Sequence, residues 1–214
     1  INFLDIPLIS LIIASLAPFF NYNYYLTGTL MIPVLASLFI LPLGLYFFRI
    51  GVPTSGLLGG LIGTFSGSYY MRSSIGRIDT DMLNLFFPFL TALLILLASG
   101  AKRERSVLLY SAIAGLSLFM FYWWYPKPSF TLAFFIVFIF SLFISKIRFQ
   151  IILLSSLLFI LFSNPLILMV GTDSVLGLVS RYYYIGKEDF STIIDNIAAP
   201  ASFPNTMTTI SEVA

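Results

Sequence analysis

Apolar residues gather along this chain in long runs separated by short polar connections. Six runs, at 26–48, 53–71, 82–99, 107–125, 129–145 and 150–169, approach the roughly 20 residues that a helix needs to cross a hydrocarbon core. A seventh, "IPLISLIIASLAPFF" at 6–20, is shorter and leads into the polar "NYNYY". The pattern predicts an all-α polytopic membrane protein of about six transmembrane helices. Asn164-Pro165 is expected to kink the last span rather than end it.

Composition supports that class. Of 214 residues, 59% are hydrophobic and 9% charged, against about 25% charged in a soluble domain. There is no cysteine and no histidine. That excludes disulfides, thiolate nucleophiles, imidazole bases and zinc sites built from either residue. Chemistry must rest on Asp, Glu, Lys, Arg, Tyr and hydroxyls, and carboxylates without imidazole or thiolate favour a hard cation such as Mg²⁺ or Mn²⁺. The chain opens "INFLDIP", with neither an initiator Met nor a basic, signal-type leader. It is expected to be an internal piece of a longer polypeptide.

Charge placement predicts sidedness. One set of alternate connections holds Arg49, Lys102, Arg103, Arg105, Lys146 and Arg148, six of the eleven basic residues, with Glu104 as its one acid. The other set holds "MRSSIGRIDTD", "YPKPS" and everything after Val170, including Asp79, Asp81, Asp173, Glu188, Asp189, Asp195 and Glu212. The positive-inside rule makes the first set cytoplasmic and the second external. Six spans then satisfy the pattern, and residues 6–20 are expected to lie parallel to the membrane on its outer side. The run at 53–71 carries Gly56, Gly59, Gly60, Gly63 and Gly67. Several are four apart, which predicts close helix packing rather than a backbone-lined ion path.

Asp79 and Asp81 flank Thr80 just before an apolar run, with Arg72 and Arg77 close by. A plain reading makes an Asp the N-terminal cap of the 82–99 helix, favoured by free amides and the helix dipole. That accounts for one carboxylate better than for two. The alternative is a D-x-D metal site, whose oxygens hold a divalent cation against a diphosphate. Two further external stretches stand beside it. "FYWWYPKPS" ends a helix with Trp123, Trp124 and Tyr125, and by itself reads as an interfacial aromatic belt. "TISE", Thr209 to Glu212, by itself reads as flexible loop.

Taken in order, "SYYMRSSIGRIDTDML", "YWWYP" and "TISE" resemble motifs of the catalytic subunit of oligosaccharyltransferase, the family of bacterial PglB and archaeal AglB. The resemblance implies a GT-C-like glycosyltransferase. Residues 1–25 would end the first external loop, residues 26–170 form the transmembrane domain with the D-x-D loop at 71–81, and residues 171–214 belong to a large external loop. It implies a metal site, Mn²⁺ or Mg²⁺, made by Asp79, Asp81 and Glu212, which are also the catalytic carboxylates. Tyr125 and Arg72 would face the lipid-linked donor, and Thr209 with Glu212 the acceptor.

The implied reaction moves a glycan from a lipid-linked diphosphate to asparagine in Asn-X-Ser/Thr. Its implied partners are that oligosaccharide, the acceptor polypeptide, membrane lipid and the remaining segments of the same polypeptide, with no nucleic acid. Its implied setting is a prokaryotic plasma membrane, with the site on the external face. Some family features have no counterpart here. They are a first-loop Asp, one hairpin near 129–169 and the soluble W-W-D-y-G domain, so this piece alone is expected to be inactive. Another polyprenyl-phosphate-sugar glycosyltransferase is the alternative. A transporter would place ionisable residues inside spans, and 107–125 and 150–169 hold none.

Overall fold

The computed structural model describes residues 7–73, 75, 80–125 and 128–164, all within a compact unit of residues 1–171. The kink expected at Pro165 and the loop expected at 171–214 lie outside the described residues. Among the described residues the regular structure is helical throughout: α1 (Leu8–Leu16), α2 (Tyr24–Ser37), α3 (Ile40–Arg49), α4 (Pro53–Thr64), α5 (Gly67–Arg72), α6 (Phe86–Ser99), α7 (Glu104–Trp124), α8 (Pro128–Ile144) and α9 (Phe149–Ser163). Two 3₁₀ turns, Ala17–Phe20 and Thr80–Leu83, join the set. The 26 residues Tyr24–Arg49 and the 21 of α7 are long and apolar enough to cross a membrane. The architecture is consistent with a helical membrane protein.

The expected continuous helix at 26–48 is two helices, and proline chemistry explains the break. Pro42 has no N–H to give the Leu38 carbonyl. The Leu41 N–H takes that carbonyl instead at 3.1 Å, while Leu38 donates to Leu35 at 3.2 Å. The chain tightens to a 3₁₀ spacing through Leu38-Phe39 and resumes as α3. The run at 53–71 is likewise divided, at Phe65-Ser66, into α4 and α5. The start of α2 is fixed by Asn23, whose side chain accepts from the Leu26 N–H at 3.0 Å. The nine residues of α1 rise about 14 Å, less than half of a hydrocarbon core.

Glycine decides how closely helices meet. A Cβ on Gly56 would stand 2.7 Å from the Phe47 Cβ, and one on Gly60 would touch Leu43, so these two glycines face α3. Gly59 and Gly67 face open space. We expect Gly56→Ala to cost roughly 1–3 kcal/mol through overpacking. Gly59→Ala should be neutral or gain up to about 1 kcal/mol of helix propensity. Thermal unfolding in detergent checks both, and equal midpoints for the two variants would contradict this seating of α4.

Two apolar cores result. One gathers α6–α9 around Ala98, Ala114, Leu118, Phe138, Leu142 and Phe159, with Phe138 stacked on Phe159 at 4.7 Å. Between α6 and α7 the buried Thr91 and Ser117 hydroxyls bond at 3.1 Å, a contact of about 1 kcal/mol between apolar helices. The second core joins Ile32 and Ala36 of α2, Met82 and Leu83 of the 3₁₀ turn, and Phe87, Phe121 and Trp124.

The direction of the helices places the charges. Glu104 at the start of α7 pairs with Arg148, which caps α9, at 3.2 Å, so both helices start at the same end. Phe39 stacks on Phe89, and Tyr46 lines one small cavity with Ile95 and Leu96, so α3 and α6 run alike and finish together. Arg49, the Lys102–Arg105 connection and Lys146–Arg148 therefore share one end of the bundle. The Thr80–Leu83 turn and the C-terminus of α7 lie at the other.

Candidate functional site

The end of the bundle away from the basic connections is built on the second core. Met82 is fully buried and Leu83 nearly so, which pins the chain immediately after Asp81. Tyr69 on α5 secures it from the other side. Its hydroxyl donates to the Ala36 carbonyl at 2.7 Å and lies 3.4 Å from the Met82 carbonyl, while its ring meets Phe39 edge-on. The 3₁₀ turn is thus tied to α2 and α5 at once.

α7 brings the aromatic motif to the same place. Pro126 drives the residue before it out of the helical region, so α7 stops at Trp124. Tyr125 is extended (φ −142°, ψ 102°), with its N–H on the Phe121 carbonyl at 2.7 Å and its ring 6.3 Å from that of Phe121. Tyr125 is half-buried against the second core. Trp124 is 3% exposed. It is a packing residue, and the aromatic-belt reading is corrected for it. Leu8, Ile9 and Ile12 of α1 pack onto the same core.

The predicted site residues are placed unequally. Asp81 sits on the Thr80–Leu83 turn and Arg72 ends α5, each described by backbone alone, and α5 packs against that turn. Tyr125 is at the same end of the bundle. Asp79, Thr209 and Glu212 lie outside the described residues. Among the described residues no three Asp, Glu, His or Cys side chains converge. The expected cap on the 82–99 helix is corrected for Asp81: it lies within the Thr80–Leu83 turn, and α6 begins at Phe86, preceded by Leu85 with no side-chain cap. Sequence reasoning gives no role to Tyr69 or Met82, which hold the turn that carries Asp81. Their signal is the Tyr-Tyr before it and the Met directly after the second Asp.

Residues 6–200 match the family model for oligosaccharyl transferase STT3, N-terminal. The chain belongs to the oligosaccharyl transferase STT3 family. The match covers α1 to α9, the D-x-D segment and Tyr125, ends before Thr209–Glu212, and agrees with the family that the motifs resemble. Two curated relatives from Campylobacter jejuni, each an undecaprenyl-diphosphooligosaccharide–protein glycotransferase, are 31% identical to this STT3-family chain over 98 residues. That alignment takes in 46% of the chain and 13% of each relative, so the chain spans a small part of the relatives' length. No solved structure matches it.

Proposed function

We propose that this chain is part of the catalytic subunit of an oligosaccharyltransferase. It moves a glycan from a lipid-linked diphosphate donor to the asparagine of an Asn-X-Ser/Thr sequon, with a divalent cation. The match to the STT3 family across residues 6–200 carries this reading. The burial of Met82 and the Tyr69 hydrogen bonds support it, because they hold the Thr80–Leu83 turn on which Asp81 is carried.

In this reading the apolar runs form about six spans in a GT-C-like arrangement. The basic end of the bundle is cytoplasmic and the end with Met82 and Tyr125 is external, in a prokaryotic plasma membrane. Residues 171–214 belong to the large external loop that brings Thr209 and Glu212 to the site.

The donor set fits a hard cation. Asp79, Asp81 and Glu212 offer carboxylate oxygens and nothing softer, as Mg²⁺ and Mn²⁺ prefer. A bound cation would offset charge on the departing diphosphate. The chain's own residues do the rest. Glu212 accepts a hydrogen bond from the acceptor carboxamide NH₂, with Asp81 beside it. That favours a rotated amide whose nitrogen lone pair is less delocalised into its carbonyl, and hence more nucleophilic. Thr209 holds the acceptor peptide. Tyr125 faces the donor sugar, and Arg72, at the end of α5, contacts phosphate or orients a carboxylate.

The test is transfer from a lipid-linked donor to an Asn-X-Thr peptide by the complete polypeptide, before and after chelation. Removal of divalent cations should lower transfer on the order of 100-fold, and Mn²⁺ or Mg²⁺ should restore it. Full transfer after chelation would remove the metal from this reading. No transfer by the untreated polypeptide would remove the reading itself.

A further inference from the structure

We propose that the connection between α8 and α9 is a binding site for an anionic membrane phospholipid, with Lys146 as the cation for its phosphate. The inference rests on the membrane reading of the chain and is independent of the transferase reading.

The first observation is a lysine in a glycine's place. α8 closes with paired bonds: the Ile147 N–H reaches the Leu142 carbonyl at 3.4 Å and the Lys146 N–H reaches Phe143 at 3.0 Å. α3 closes in the same way, Val52 to Phe47 at 3.0 Å and Gly51 to Phe48 at 3.2 Å. This closure needs a left-handed residue at its penultimate position, where glycine is favoured. α3 has Gly51 there, at φ 87°, whereas α8 has Lys146, at φ 54°. An L side chain adopts that backbone only at a cost, and such a cost points to use of the side chain.

The second observation is what surrounds it. Lys146 borders a cavity of about 460 Å³ whose other walls are Phe143, Ile144, Ile147, Phe149 and Ile152. One ammonium at the rim of an otherwise apolar groove suits a ligand with a phosphate joined to hydrocarbon. Phe143 and Phe149 are 71% and 74% exposed and stand where acyl chains would pass.

The third observation is charge. Among the described residues, six basic side chains and one acid share this end of the bundle, and that acid, Glu104, is paired with Arg148. The surplus favours a net anionic headgroup over a zwitterionic one, whose own cation would face the same lysine. A soluble phosphate would leave the apolar walls unused.

The test uses the complete polypeptide, delipidated in detergent, with thermal unfolding followed on addition of phosphatidylglycerol, phosphatidylcholine of the same acyl chains, or glycerol 3-phosphate. Phosphatidylglycerol should raise the midpoint more than phosphatidylcholine, and glycerol 3-phosphate should do nothing. Lys146→Gly relieves the left-handed backbone, so its lipid-free midpoint should equal or exceed that of the wild type. Its apparent affinity for phosphatidylglycerol should fall about fivefold, and Lys146→Arg should retain it. An equal response to both lipids, or an undiminished preference in Lys146→Gly, overturns the proposal. A response to glycerol 3-phosphate equal to that of the lipid also overturns it, since the site would then take a soluble phosphate.

Discussion

In the complete polypeptide, Asp79→Ala is expected to lower glycan transfer by roughly 100-fold or more, and Glu212→Ala by a similar factor. This is the size of effect that follows when one preorganised charge is withdrawn from a reacting centre. Asp79 lies two residues before Asp81 in sequence, and the Thr80–Leu83 turn that carries Asp81 is held by buried Met82 and by Tyr69. A backbone fixed in that way is what a metal-ligating carboxylate requires. If Asp79 and Glu212 hold one cation, the double variant should transfer about as poorly as either single one, because groups that act as a unit are not additive. Transfer assays with a Mn²⁺ titration read both effects, and each single variant should need more Mn²⁺ than the wild type to reach half of its own, lowered maximal rate. Undiminished transfer in a folded Asp79→Ala or Glu212→Ala protein would make that residue a spectator, and the assignment through the D-x-D and T-I-x-E motifs would fall with it.

Much of the helical layout is legible in the apolar runs, because lipid selects long hydrophobic stretches whatever their detailed packing. Their interruptions are harder to read. Pro33 stays within α2, whereas Pro42 follows a break at which the Leu41 N–H takes the Leu38 carbonyl, and the apolar pattern is the same around both. Glycine spacing shows that close approach is possible but not on which face. Gly56 and Gly60 meet α3, while Gly59, one residue from Gly60, meets nothing. For Trp124, burial depends on tertiary neighbours, Met82 and Phe87 among them, that no local pattern names. The acidic site is legible as chemistry, from residue types and motif order. What steadies the turn that carries Asp81, a tyrosine hydroxyl on a carbonyl 33 residues away in sequence, comes from the fold alone.

Gly115→Leu should be among the most damaging substitutions away from the acidic site. A Cβ added at Gly115 would run into the Phe159 carbonyl oxygen, and it would lie 3.1 Å from both the Phe162 Cβ and the Ser163 N. Two of these three are backbone atoms of α9, so no rotamer change makes room and the helices must separate. Lipid tails are as apolar as the side chains, so the pair is held by close contact rather than by hydrophobic expulsion. Widening the gap also disturbs the stack of Phe159 on Phe138 beside it. We expect a loss of roughly 3 kcal/mol, at the upper end for overpacked cores, seen as a lower thermal midpoint in detergent. The same helix carries Tyr125 one residue beyond its C-terminus, so transfer should fall as well, by less than in Asp79→Ala and with an unchanged Mn²⁺ requirement. That split separates a packing residue from a ligand: a midpoint equal to wild type would mean that α7 and α9 do not meet at Gly115, and a raised Mn²⁺ requirement would mean that their contact shapes the metal site.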